Sequence, residues 1–405
     1  MKILLLGSLV SAQSMEELNK NSTEKASVAP VNYETMLVKG LTENGAKVDA
    51  ISVPAVAAYP RSIYKRIRSK KEEAIPGVTV SWVPFINVQG LKQITVKRNV
   101  QKMLKKWLKE NKDEQNKLVL MYSIYPPYTA PAQKLCKKYG CHLSAVITDL
   151  PEYMYSWKKN RGLRGLYAGH LQKQMLSQQK NCDSYVLFTE KMAARMDIGD
   201  KPYIVSEGFS DASLFASLPP TEKYEKKTIV YGGNLSRLYG IKPLVDGFMM
   251  TDEDLELHLY GAGADSSYIE ECAKKDGRIK FFGRVPRTEL LLALKKAHLL
   301  VVNKPVSDDY SNYSFSSKIL EYMVSGTPLL TTRVGGMPQE YYNSLYFIDS
   351  ESPEGIAQAI KKTFAEGEKL FELGKKAEAF ARDEKNYLVM TSKIITFLNE
   401  RVTFK

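Results

Sequence analysis

The sequence predicts an α/β protein built from two Rossmann-like domains. Three observations carry this. A strand–helix–strand run opens the chain, a second such run begins near residue 228 after a Pro- and Lys-rich linker, and 405 residues suffice for two sizeable cores. With 44% hydrophobic and 25% charged residues, the composition excludes the disordered and fibrous classes. The N-terminus, MKILLLGSLVS, is too short and too soon polar for a secretory signal and reads as a buried strand. No apolar run reaches the roughly 18 residues of a membrane span. Cys136, Cys141, Cys182 and Cys272 lack Cys-x-x-Cys spacing, which predicts reduced, buried thiols in a cytoplasmic protein and no zinc site.

In chain order, strand Lys2–Gly7 is followed by a polar loop, Ser8–Ala29, a helix over 30–45 and a strand over 47–53. The loop falls at the carboxyl edge of a parallel sheet, where doubly wound folds bind ligands, though it reads equally well as a surface insertion. It has no G-x-G-x-x-G, so a dinucleotide cofactor is not indicated. Residues 58–112 gather Arg61, Lys65, Arg66, Arg68, Lys70, Lys71, Lys97, Arg98, Lys102, Lys105, Lys106, Lys109 and Lys112. The later cations share a helical pattern with Val100, Met103, Leu104, Trp107 and Leu108 on the other face. Such a helix can lie on an anionic membrane surface or bury its apolar side in a core; its cations face outward either way. Residues 1–210 hold 32 Lys and Arg against 18 Asp and Glu, a balance of +14, whereas the remainder balances at −1.

Buried strands are expected at 118–121, 144–147 and 184–188, with helices at 130–139 and 166–179. Asp149, in VITDLPEY, directly follows a strand and so falls on the carboxyl edge. The first domain is expected to span 1–210, the linker 211–227, a second domain 228–383, and a terminal helix 384–404 or so. The second domain opens with a strand into YGGNLSRLYGIKPLVDGF, where Gly232 and Gly233 allow close backbone approach. LHLYGAGA, IKFFGRVPRTEL and HLLVVNKP supply further strands.

Residues 311–332 read SNYSFSSKILEYMVSGTPLLTT, a serine-rich helix start, a Gly326 stop and a buried strand Leu329–Thr332. A helix N-terminus among small residues suits a phosphate, and Lys318 in its first turn is unfavourable unless an anion binds there. Glu321, one turn on, could accept hydrogen bonds from a sugar diol. Together they describe a nucleotide-sugar site. Plain N-capping serines and a surface Lys–Glu pair are the competing reading.

The segment SFSSKILEYMVSGTPLLTT resembles the donor site of retaining glycosyltransferases of family 4. In these a Ser-Lys run enters a Leu-Glu-Tyr-Met helix and a Gly-x-Pro strand. The resemblance covers roughly residues 1–400. It implies the GT-B fold, two Rossmann-like domains facing a cleft, with the terminal helix crossing back to the first. Of the family's two glutamates, separated by seven intervening residues, the second falls on Glu321 and the first on Tyr313. PYIVSEGFSDASLF resembles the family's hinge segment, with Glu207 where Asn is common. The family's loop cations fall on Asn234 and Tyr239, with Arg237 three residues out of register. The catalytic candidates are Glu321, Lys318, Arg237 and Asp149. The donor-binding candidates are Gly232, Gly233, Asn234, Gly283, Arg284, Val285, Tyr313, Phe315, Ser316 and Ser317, with backbone around 283–285 reading the base.

The implied activity is metal-independent, retaining transfer from a UDP- or GDP-sugar to a glycan or lipid-linked acceptor in surface polysaccharide biosynthesis. No cofactor is expected, and the protein is placed in the cytoplasm or at the inner face of the membrane. Asp308-Asp309 reads as a solvated pair, and His142, His170, His258 and His298 do not cluster. A sugar-nucleotide epimerase or hydrolase on the same fold is the alternative. Nucleic-acid binding explains the basic half but not the donor-site segment.

Overall fold

The computed structural model describes residues 1–154, 162–252 and 254–402. The chain divides into two compact units, Met1–Glu207 with Tyr387–Lys405, and Gly208–Asn386.

The first unit contains β1 (Lys2–Gly7), β2 (Lys47–Ser52), β3 (Arg66–Ile67), β4 (Lys71–Ile75) and β5 (Val78–Trp82). It continues with β6 (Phe85–Ile86), β7 (Lys117–Tyr122), β8 (His142–Ile147), β9 (Ser184–Leu187) and β10 (Tyr203–Val205). Its helices are α1 (Ala12–Lys20), α2 (Ala29–Glu43), α3 (Leu91–Glu110), α4 (Pro126–Tyr139), α5 (Pro151–Met154), α6 (Gly162–Gln178) and α7 (Lys191–Met196). Eight strands form one sheet in the order β10-β9-β8-β7-β1-β2-β5-β4, parallel except for the β4–β5 hairpin. The strands at its centre are continuous apolar runs such as ILLL and LVLM, as sheets covered on both faces require.

The second unit holds α8 (Ser213–Ala216), β11 (Lys227–Asn234), α9 (Ile241–Met249), β12 (Leu255–Ala262), α10 (Ser266–Lys275) and β13 (Ile279–Gly283). After these come α11 (Arg287–Lys296), β14 (Leu299–Val302), α12 (Ser317–Met323), β15 (Leu329–Thr332), β16 (Tyr346–Ile348), α13 (Pro353–Ala365) and α14 (Glu368–Glu384). Its six strands are all parallel in the order β13-β12-β11-β14-β15-β16. Strand order reverses between β11 and β14, the switch point at which doubly wound sheets bind ligands. In the first unit the reversal lies between β1 and β7.

The last helix, α15 (Tyr387–Arg401), belongs to the first unit. Asn44 donates through Nδ2 to the Leu388 carbonyl at 2.9 Å, and Tyr387 donates to Glu43 at 3.1 Å. A Cβ on Gly40 would lie 2.3 Å from Thr391 Oγ1, so the absence of a side chain on α2 sets how closely α15 approaches. The expected end of this helix near Phe404 lies outside the described residues.

Several expectations are corrected. The loop 8–29 contains α1, whose polar composition conceals it: Glu72 accepts from Ser11 N and Oγ, Ser14 Oγ and Trp82 Nε1 at 2.6–3.0 Å. Burial opposes ionisation of that carboxyl, but these donors and Lys70 outweigh it and hold the group down at about 2. The basic stretch after residue 58 contains the short strands β3–β6. The second unit begins at Gly208, so residues 211–227 are part of it and include α8. On α3 the apolar face is not available to a membrane. Val96, Val100, Leu104, Trp107 and Leu108 are buried, and Trp107 Nε1 donates to Asp49 Oδ2 at 2.7 Å.

Candidate functional site

The site is built at the tip of β11. Gly233 has φ +148°, and a Cβ there would fall 2.2 Å from Lys318 Cε and 2.6 Å from Nζ. The space that glycine leaves is filled by the Lys318 side chain, which rises from the first turn of α12. Its ammonium stands 4.2 Å from the centre of the Tyr239 ring and 5.4 Å from that of Tyr231. Burial pushes it down to about 8, with Glu321 pulling the other way. Among the described residues it makes no hydrogen bond and no ion pair. A cation held on aromatic faces with no carboxylate bonded to it is poised for an external anion.

Tyr322 fixes the loop this cation enters. Its hydroxyl accepts from Gly232 N at 2.8 Å and donates to Gly232 O at 3.0 Å, tying the buried face of α12 to β11. Tyr231 donates to the Asn234 carbonyl at 2.8 Å and so shapes the turn that follows. Asn234 is exposed. Arg237, in a 3₁₀ turn Arg237–Tyr239, is exposed and unpartnered among the described residues.

Glu321 is half-buried and accepts from Arg287 Nη2 at 2.7 Å through Oε2. Arg287 begins α11, just after the turn expected to read the base through its backbone; nothing in the sequence pairs it with Glu321. Ser316 occupies the N-cap of α12, but its side chain makes no capping bond, so plain capping is not what this serine does. Ser317 is exposed and Tyr313 half-buried, with Tyr313 N donating to the Tyr310 carbonyl at 3.0 Å. The ring of Phe315 is buried against Tyr341 at 5.1 Å and belongs to the core, which leaves its backbone for a ligand. Gly283, at φ +64°, makes the turn into exposed Arg284 and half-buried Val285. Asp308 accepts from Tyr310 N at 3.2 Å and caps a 3₁₀ turn.

Asp149 lies in the first unit, just past β8, with Thr148 Oγ1 3.5 Å away. The carboxylate that dominates that unit's switch point is one sequence reasoning missed. Glu34, on α2, is fully buried and accepts from Ser8 N, Ser8 Oγ and Leu9 N at 2.6–3.0 Å. Burial pushes it up to about 7 against the pull of those hydrogen bonds. A Cβ on Gly7 would lie 2.3 Å from its Oε2. The histidines have local roles: His142 bonds Ser184, His170 bonds Gln174, His258 bonds Glu256, and His298 Nδ1 accepts from Thr228 N.

Residues 226–366 match the family described as Glycosyl transferases group 1. Over 144 residues the chain is 28% identical to N-acetyl-alpha-D-glucosaminyl L-malate synthase of Bacillus anthracis. That match spans 34% of this chain and 36% of the relative's length. Sucrose-phosphate synthase from Thermosynechococcus elongatus is similar in structure, with a TM-score of 0.66 at 15% identity over 99% of both chains. Anabaena HepE, solved with UDP, gives 0.64 at 14% identity over 98% of this chain and 100% of its own.

Proposed function

We propose that this chain, which has the GT-B fold of glycosyltransferases and a group 1 glycosyltransferase domain at residues 226–366, is a retaining glycosyltransferase. It moves a sugar from a nucleoside-diphosphate sugar to a glycan or lipid-linked acceptor in surface polysaccharide biosynthesis. The observation that carries this is the unpartnered ammonium of Lys318 at the tip of the strand beside the switch point. HepE has been solved with UDP and with UDP-glucose, which supports a UDP-sugar as donor.

In this reading the diphosphate binds Lys318 and Arg237, and backbone at Gly232, Gly233 and Asn234 lines its path. Charge grows on the departing diphosphate as the sugar becomes oxocarbenium-like. Cations already aimed at it stabilise the transition state more than the ground state. They supply the charge compensation a metal would otherwise provide, and on that ground the reaction is assigned as metal-independent. Arg287 engages Oε2 of Glu321 and leaves Oε1 for donor hydroxyls. Backbone at 283–285 reads the base, Ser316 and Ser317 line the phosphate end, and Tyr313 stands where the family's first glutamate would be. Asp149, on the carboxyl edge of the first unit's sheet, is the acceptor-side group. The locally engaged histidines favour transfer over an epimerase or hydrolase, which would need further acid–base groups. Four free, buried cysteines support a reducing, cytoplasmic setting.

The test is a panel of UDP- and GDP-sugars read by thermal shift and by hydrolysis. A true donor at a hundredfold excess over Kd stabilises the protein by about 2.7 kcal/mol. If no nucleotide sugar or nucleoside diphosphate shifts the melting curve, the reading is wrong.

A further inference from the structure

We infer that the outward face of α3, with the loop 59–63, docks on the surface of an anionic lipid bilayer. This goes beyond the transfer reaction and does not depend on it. The core face of α3 is accounted for by its five buried apolar residues. At 3.6 residues per turn, Leu91, Ile94, Arg98, Lys102, Lys105 and Lys109 fall on the opposite side, within a sector of roughly 80°. All six are exposed. The stripe is therefore apolar at the start of the helix and cationic along the rest.

Exposure of the apolar end is pronounced: Ile94 is 66% exposed and Leu91 47%. Two more apolar residues belong to a loop tied to the same end of the helix, Ile63 at 67% and Tyr59 at 39%. The tie runs through Asn87, whose carbonyl accepts from Tyr59 N at 2.8 Å and whose amide donates to the Ala57 and Tyr64 carbonyls at 2.7 and 3.0 Å. Lys92, in the first turn of α3, donates to the Val56 carbonyl at 2.7 Å and fastens the loop a second time. Lys65 lies over the Tyr59 ring, at 5.0 Å from its centre.

The cations of the stripe are uncompensated. Arg98, Lys102, Lys105 and Lys109 have no ion pair among the described residues, and the one acidic residue of α3, Glu110, pairs with Lys106 beside the stripe. Charge alone would suit any polyanion. Two isoleucines two-thirds exposed gain nothing from a hydrated polyanion, whereas a bilayer interface takes up apolar side chains beside cations that meet its headgroups. No helix among the described residues is long and apolar enough to cross a membrane, so the contact is made at the surface.

The experiment is flotation of the full chain with phosphatidylcholine vesicles, with and without phosphatidylglycerol. Wild type floats with the anionic vesicles at low salt and is released at high salt. Lys102→Gln/Lys105→Gln/Lys109→Gln lowers partitioning on the order of a hundredfold. Ile63→Ser/Ile94→Ser, which leaves the charge untouched, lowers it about tenfold. Both variants keep the wild-type melting temperature and UDP-induced thermal shift, since neither touches the donor unit. Equal flotation with neutral and anionic vesicles, or none with either, overturns the inference. So does a serine variant that floats like wild type, or retention on heparin without flotation, either of which makes the face a polyanion site.

Discussion

The two units place a charged side chain in the same position at the same strand and give it opposite signs. In the first, β1 ends at Gly7, whose missing Cβ leaves room for the Glu34 carboxylate; in the second, the tip of β11 carries Gly233, whose missing Cβ leaves room for Lys318. Both strands flank the point where sheet order reverses. Glu34 is met by three donors from Ser8 and Leu9, while Lys318 is bonded to nothing in the described residues. Topology therefore decides where a ligand can sit, and one side chain decides whether the seat is taken. An internal carboxylate closes the first unit's tip to an external anion. The second unit's tip holds a cation and no anion.

If that contrast is right, Glu34 is a fold residue and Lys318 a ligand residue. Glu34→Ala gives the largest effect, because it orphans the Ser8 and Leu9 donors in a buried site at about 1–3 kcal/mol each, offset by release of a desolvated carboxyl. A net destabilisation of about 3 kcal/mol is expected. No tryptophan falls within residues 208–386, so denaturant unfolding followed by tryptophan fluorescence reads the first unit. UDP affinity should be unchanged. A stable Glu34→Ala protein with weakened UDP binding would reverse the assignment of the two tips.

Lys318→Ala should do the converse. Removing a charge-assisted hydrogen bond to diphosphate costs about 2 kcal/mol, or roughly thirtyfold in Kd by calorimetry. Stability should move by less than about 1 kcal/mol, since the cation–π attraction to Tyr231 and Tyr239 is offset by the cost of keeping that charge desolvated. Unaltered UDP affinity would place the diphosphate elsewhere.

Much of this contrast could be read from the sequence on one side only. The segment 311–332 announced its helix, its glycine stop and its strand because each depends on local chemistry: small residues, apolar spacing, and Gly326 at φ +74°. Lys318 stood out because a cation in a first turn is locally unfavourable. Glu34 did not, since a glutamate on α2 looks like any surface residue until Gly7 and Ser8 fold over it. The same holds for α1, whose serines are satisfied by Glu72 some sixty residues away, and for Arg287, which meets Glu321 from another helix. Local propensity is legible, and a polar partner far along the chain is not. α3 shows the limit of periodicity: it revealed an amphipathic helix with its cations outward, but not whether a core or a membrane covers the apolar face.

The pH response sharpens the comparison further. Burial lowers the Lys318 ammonium to about 8 in the free protein, and a bound diphosphate would raise it again. Binding then takes up a proton wherever the free lysine has lost one. Affinity for UDP is full below pH 8 and falls as pH rises through that value, by at most about tenfold per unit. Lys318→Gln should flatten the profile. For Glu34 the sign is the same, a loss with rising pH, but the readout is folding. Its carboxyl is raised in the fold from an ordinary 4.5 to about 7, so the protonated form is favoured there. First-unit stability should decline as pH climbs from about 4.5 to 7, and Glu34→Gln should not show this decline.

The smallest expected effect concerns Arg287. Its guanidinium is more than half exposed and its 2.7 Å bond to Glu321 lies near the surface, so breaking the pair costs about 0–1 kcal/mol of stability. The consequence should appear in kinetics. With Oε2 held, the Glu321 carboxylate presents a fixed Oε1 to the donor; without Arg287 it rotates freely and must be ordered on binding. Arg287→Ala should therefore raise KM for the donor several-fold with little change in kcat, and Arg287→Lys should recover only part of the loss, because a single ammonium lacks the planar fork. A fall in kcat with KM unchanged would mean that Arg287 contacts the reacting sugar itself. The partnership of Arg287 and Glu321 would then belong to the transition state, and Lys318 would share the second unit's catalytic charge with a cation from another helix.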